Sequence, residues 1–109
     1  MVTNILKEVG VKYGESRYKG NPLPATYIVY FDDREASGAD DVNLLITHNI
    51  TIEVYESKPD TETENKLEKA FNDRGLEWTS QARYWIQDIQ RYQVIYEFYY
   101  TEKRRLTNG

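Results

Sequence analysis

The sequence predicts an α+β domain, an antiparallel or mixed sheet of about four strands with helices packed on one face. Three stretches carry that prediction. Residues 42–57, VNLLITHNITIEVYES, alternate strictly from Leu44 onward: Leu44, Ile46, His48, Ile50, Ile52 and Val54 fall on one phase, Leu45, Thr47, Asn49, Thr51, Glu53 and Tyr55 on the other. Successive strand side chains point to opposite faces, so this is a half-buried strand with one apolar face and one mostly polar face. At about 3.3 Å per residue it runs roughly 40 Å, longer than strands of small domains, and part of it should project, twist or bulge. Residues 59–75 have the pattern of an amphipathic helix, and residues 91–101, RYQVIYEFYYT, alternate again.

Each element follows in order. Residues 3–9, TNILKEV, place Ile5, Leu6 and Val9 at helical spacing, with Thr3 or Asn4 to cap the first turn and Gly10 to stop the last. A helix this short must dock on something. Residues 11–21 form a short strand or irregular segment that ends in a turn at Gly20, Asn21 and Pro22. The next strand, PATYIVYF at residues 24–31, is apolar on both phases, so it is central or its second face meets a partner. Pro24 can only begin it, having no N–H to give to a ladder.

Residues 32–41, DDREASGADD, hold four Asp, one Glu and one Arg. With almost nothing to bury, they predict a flexible acidic loop in which Asp32, Asp33, Glu35, Asp40 and Asp41 are solvated. The spacing does not fit the calcium-loop pattern.

Pro59, Asp60 and Thr61 open the second helix, with Thr61 and Glu64 spaced as a capping box. Leu67, Ala70, Phe71 and Arg74 form its inward stripe. Gly75 supplies the left-handed stop, and Leu76 folds back onto Phe71 or Leu67. Residues 76–87 make a third strand with Trp78, Ala82, Tyr84 and Ile86 on one phase, faltering at Ser80 and Gln81, where a bulge or bend is predicted. After a turn at residues 88–90, the last strand aligns Tyr92, Val94, Tyr96, Phe98 and Tyr100. Residues 106–109 are a frayed tail.

Composition excludes several kinds of chemistry. The 109 residues suffice for one domain and a real core. The absence of cysteine rules out thiol nucleophiles and thiolate metal sites. Fourteen basic residues against eighteen acidic give a formal net charge of −4, a poor match for phosphate backbones, and no sequence-specific nucleic-acid binding is expected. No apolar run approaches the roughly 20 residues that span a bilayer. The N-terminus lacks the order of a secretory signal, so a soluble, cytoplasmic domain is predicted.

His48 cannot build a multi-histidine metal site alone, and no serine sits in a nucleophile context. It is expected to be a hydrogen-bonded strand residue near the end of the sheet or an interface. Dinucleotide, phosphate-loop and zinc-protease motifs are missing. Ten tyrosines, three phenylalanines and two tryptophans fit a strand-rich composition first and interface enrichment second. A stacking platform at Trp78 and Trp85 lacks the basic groove that nucleic acid needs. No catalytic, cofactor-binding or metal-binding residue is predicted, and no enzyme.

The order of these parts resembles a known family. A short helix leads to Pro24, Tyr27, Ile28, Val29 and Tyr30 in a Pro-x-x-Tyr-Ile-Val-Tyr strand, then to the acidic segment and a long strand ending Ile52-Glu53-Val54-Tyr55. A helix with Leu67-Glu68-Lys69-Ala70-Phe71 and Gly75 follows, and two aromatic strands close the chain. In this the chain is similar to the small tail-terminator proteins of long-tailed bacteriophages and prophages, the tail-completion and tail-to-head joining group. The likeness is one of order and texture and covers most of the chain.

It implies a non-enzymatic structural protein of virion assembly. Such a protein forms a ring with itself, typically hexameric, caps the tail-tube protein and engages the head-tail connector protein. It works in the host cytoplasm and then in the virion at the tail–head junction. The resemblance carries no residue-level site. The residues themselves suggest Tyr27, Val29 and Phe31, with Tyr96, Phe98 and Tyr100, as an interface patch. Leu45, Thr47 and Asn49 are the corresponding candidates for edge pairing with a neighbour. The alternatives are a small α+β ligand-binding or regulatory domain with a Trp/Tyr-lined pocket, or a small enzyme using a tyrosine or carboxylate.

Overall fold

The long alternating strand becomes the spine of the sheet because both of its neighbours are equally long. The computed structural model of the protein describes residues 1–39 and 42–105. Asn43–Glu56 (β3) lies between Thr26–Ala39 (β2) and Arg91–Arg105 (β6), antiparallel to both along its length. Tyr13–Glu15 (β1) pairs in parallel with β2, and Trp78–Ser80 (β4) and Tyr84–Ile86 (β5) pair antiparallel with β6. The sheet among the described residues is therefore mixed and six-stranded, in the order β1-β2-β3-β6-β4 with β5 also on β6. The α+β class holds, but the expected count of about four strands is too low. Two short strands account for the difference: β1 is only three residues long, and the third predicted strand is split.

The split is the predicted bulge. Ser80 pairs with Tyr96 but Tyr84 pairs with Gln93, so β4 and β5 together spend one more residue than β6 over that span. The extra residue reverses the phase. Trp78 lies on the side of Phe98, whereas Tyr84 lies on the side of Gln93.

Both helices cover one face. Val2–Val9 (α1) buries Val2, Ile5, Leu6 and Val9, and it ends at Gly10 with φ 83°. Its N-cap is Met1, which has no capping side chain, rather than Thr3 or Asn4. Thr61–Asp73 (α2) is capped by Asp60, whose Oδ1 accepts from the Thr63 N–H at 3.0 Å. Asp60 Oδ2 also accepts from the Thr26 hydroxyl at 2.7 Å, tying the helix start to β2. Thr61 and Glu64 do not form the predicted capping box, because the N-cap is Asp60 and Thr61 is already helical; Glu64 pairs with Arg83. At the other end Gly75 has φ 66° and the Leu76 N–H donates to the Phe71 carbonyl at 3.0 Å, the predicted stop.

Beneath the helices Ile28, Tyr30, Ile50, Ile52, Val54, Val94, Tyr96 and Phe98 meet Leu67, Ala70 and Phe71 in one core. Among the described residues no helix is long and apolar enough to cross a membrane.

The molecule measures 50 × 27 × 22 Å, and its radius of gyration is 16.0 Å. A compact chain of this length would have about 13 Å. The excess comes from the distal parts of β2, β3 and β6, which run past the helices as a three-stranded ribbon. On the helix side of this ribbon Arg34, Ala36 and Arg104 are exposed, while Ile46 and His48 are buried.

Here the acidic-loop expectation fails. Asp32, Asp33 and Glu35 are strand residues, paired through Ala39 with β3. The backbone groups on their β3 side are satisfied by the ladder, and where the ribbon is wetted on both faces it needs no apolar side chains. A bulge between Ala36 and Gly38, with Gly38 at φ 135°, interrupts the pairing once. Asp40, Asp41 and the tail at residues 106–109 lie outside the described residues.

Candidate assembly surface

The tyrosine face of β6 is core rather than surface. Tyr96 and Phe98 are 1% and 5% exposed, with ring centroids 5.5 and 5.2 Å from that of Phe71. Periodicity shows that a strand has two faces, and which one the helices take depends on the register of the whole sheet. The helices took this one. Tyr27 and Val29 are buried on the opposite face, where Tyr27 stacks between Tyr18 at 5.2 Å and Tyr55 at 5.1 Å. The chain's own segment around Tyr18 thus covers part of the patch. Phe31 and Tyr100 are half-buried.

Leu45, Thr47 and Asn49 do lie on the ribbon, on the face away from the helices. They sit on its middle strand, however, with β2 on one side and β6 on the other, and have no edge to offer. The open edges are elsewhere. Pairing of β1 with β2 reaches only Tyr30, and pairing of β4 with β6 only Phe98. Beyond those points both flanks of the ribbon lack a partner among the described residues. No single-sequence signal marks them, because an edge is a property of neighbours.

A polar clasp closes the root of the ribbon on the helix side. His48 Nδ1 lies 2.9 and 3.1 Å from the two carboxylate oxygens of Asp32 on β2, and Nε2 lies 2.9 Å from Glu102 Oε2 on β6. The ring stacks on Tyr100 with centroids 4.5 Å apart. One buried side chain thereby cross-links all three strands. Arg104 and His48 together hold the Glu102 carboxyl below the usual carboxylate range. The expectation of a hydrogen-bonded strand histidine is met, and both its partners come from segments distant in sequence.

A second polar cluster lies at the far end of the sheet. Glu56 continues the inward phase of Ile52 and Val54 and is fully buried. Arg83, from the bulge between β4 and β5, donates to Glu56 Oε1 at 3.3 Å and to Glu64 Oε2 at 2.7 Å. Glu56 Oε2 has no donor of its own. Burial, reinforced by the neighbouring Glu64 carboxylate, pushes the Glu56 carboxyl up to about 7. Nearby, the Tyr96 hydroxyl donates to Glu68 at 2.7 Å; burial first, and then Glu68, raise that phenol far above its ordinary range.

The sign of the resulting pH dependence is fixed. Between the ordinary carboxyl value of 4.5 and about 7, folded Glu56 keeps a proton that the unfolded chain releases. Stability must therefore fall as pH rises through that window. Glu56→Gln cannot titrate, and its stability relative to the parent should rise by about 2 kcal/mol between pH 5 and pH 8. Urea unfolding at several pH values measures this, and parallel profiles for the two proteins would refute it.

An open depression of about 660 Å³ lies where β4 meets the outer face of the sheet, lined in part by Asp33, Asn49, Trp78, Glu97 and Tyr99. The Trp78 indole N–H is already engaged by Asn72 at 2.9 Å. Among the described residues no His, Cys, Asp and Glu side chains group as a metal site. No family model matches the chain, and no curated protein matches it in sequence.

Proposed function

We propose that this chain is a structural assembly subunit of the phage or prophage tail-completion kind, without an enzymatic role. It closes a ring with copies of itself, hexameric in proteins of that kind, on the end of a tail tube. The ring then gives the head-tail connector a surface to engage. One observation carries the reading: a ribbon that projects past its own domain and has two flanks, on different strands, without a pairing partner among the described residues. An uncovered sheet edge presents a row of backbone N–H and C=O groups that can template pairing with another chain. A ring requires two different patches per subunit, and two non-equivalent edges are such a pair.

The test uses tail tubes assembled from a long-tailed phage or prophage tube protein. Electron micrographs should show a collar on one end of each tube and, on co-expression, tubes that stop growing. Folded protein that leaves tube ends bare and tube lengths unchanged would refute the proposal. A ligand-binding reading has one observation in its favour, the depression at Trp78 and Tyr99. It predicts that a small ligand raises the melting temperature.

A further inference from the structure

The two flanks of the ribbon differ in charge, and only on one face. On the helix side the charges are neutralised within the chain: Arg34 pairs with Asp32 at 3.3 Å, Arg104 pairs with Glu102, and His48 joins both acids. On the outer face Asp33 and Glu35 stand on β2 and Lys103 and Arg105 on β6, all four exposed. Among the described residues Glu35 accepts from the Asn49 amide, at 3.4 Å. Between the two rows run the uncharged Leu45, Thr47 and Asn49 of β3. The ribbon therefore presents an acidic flank and a basic flank, separated by a neutral strand, with the backbone of each flank open to pairing.

Resting on the assembly reading above, we infer that the partner of this ribbon is a second copy of the chain, joined head to tail. The basic β6 edge of one subunit takes up the acidic β2 edge of the next. Like-to-like pairing would set Asp33 and Glu35 against themselves, or Lys103 and Arg105 against themselves, and like charges across a strand pair are destabilising. Unlike pairing relieves both flanks and is heterologous, so it propagates around a ring instead of stopping at a dimer. Both β2 and β6 run antiparallel to β3, so they are parallel to each other. Ribbons that point the same way around an axis then pair in parallel.

The in-chain register also fixes an offset. Lys103 is level with Gly38 through Leu45, and Glu35 is level with Thr101 through Thr47. Bringing Lys103 beside a neighbour's Glu35 needs a stagger of about two to three residues per subunit, and strands that close into a barrel are staggered in this way.

The chain has no cysteine, which makes a direct test simple. Asp33→Cys or Glu35→Cys on β2 is combined with Lys103→Cys or Arg105→Cys on β6, so that the four pairings cover the stagger. Within one chain these positions are separated by β3, about 10 Å across two strand spacings, beyond disulfide reach. Mild oxidation should give a ladder of oligomers from at least one double variant and no dimer from any single variant. Mixing a β2 variant with a β6 variant should give dimers only. Dimers from a single variant would overturn the head-to-tail assignment. So would the absence of any ladder while the parent chain sediments as an oligomer, a result that leaves the assembly reading standing. A parent chain that stays monomeric at every concentration and on tube ends would remove both.

Discussion

Replacing His48 with leucine is expected to lower the unfolding free energy by about 3 kcal/mol, because it leaves a buried carboxylate without its main partner. Asp32 has a side chain only 7% exposed, and its other contact is the mostly exposed Arg34. Glu102 is more accessible and can turn to water, so most of the loss belongs to Asp32. Adding Asp32→Val should recover much of it, since no buried charge then remains. The defect should also be local. Amide exchange should accelerate in residues 43–49 and 99–105, where the ribbon leaves the helices, before it does in α2. A His48→Leu protein with unchanged stability and unchanged exchange in the ribbon would show that the clasp does not hold the ribbon.

Phe71→Ala should be costlier still, about 3–5 kcal/mol, a large share of the 5–15 kcal/mol that stabilises an ordinary domain. Phe71 is fully buried, and its ring meets those of Tyr96, Phe98 and Trp78 at centroid distances of 5.5, 5.2 and 6.0 Å. It is the point where α2 is fastened to β6 and to the start of the split strand. Removing it opens a cavity lined by three rigid rings that cannot easily collapse inward. Chemical denaturation with an unchanged m-value should report the loss. A cost under about 1 kcal/mol would mean that the helix is held chiefly elsewhere, for instance at Leu67 or at the Asp60 cap.

These two residues differ in how far the sequence announces them. Phe71 follows from the helical stripe with Leu67 and Ala70, and Gly75 follows from the need for a left-handed residue after the last turn. The clasp does not. His48 could be placed on the inward phase, but Asp32 and Glu102 reach it only because β2 and β6 flank β3 in one particular register. The stretch from Asp32 to Ala39 was illegible for a related reason. Its composition is that of a loop, and it is a strand because the long neighbour β3 offers a ladder.

Glu56 was one step from being legible, since it extends the apolar alternation of β3 by one inward position. The tyrosine face shows the opposite failure. Its alternation is clear and makes it look like a surface, whereas Tyr96 and Phe98 serve the core and the exposed aromatic is Tyr99, at 62%.

Native mass spectrometry of the parent chain, alone over a range of concentrations and in the presence of tail-tube ends, bears most directly on the assembly claim. Two unlike edges predict that the 12.9 kDa chain passes to a single closed multiple larger than two, with no stable dimer on the way. A dimer that persists as the end state, or a 12.9 kDa species under both conditions, would contradict it.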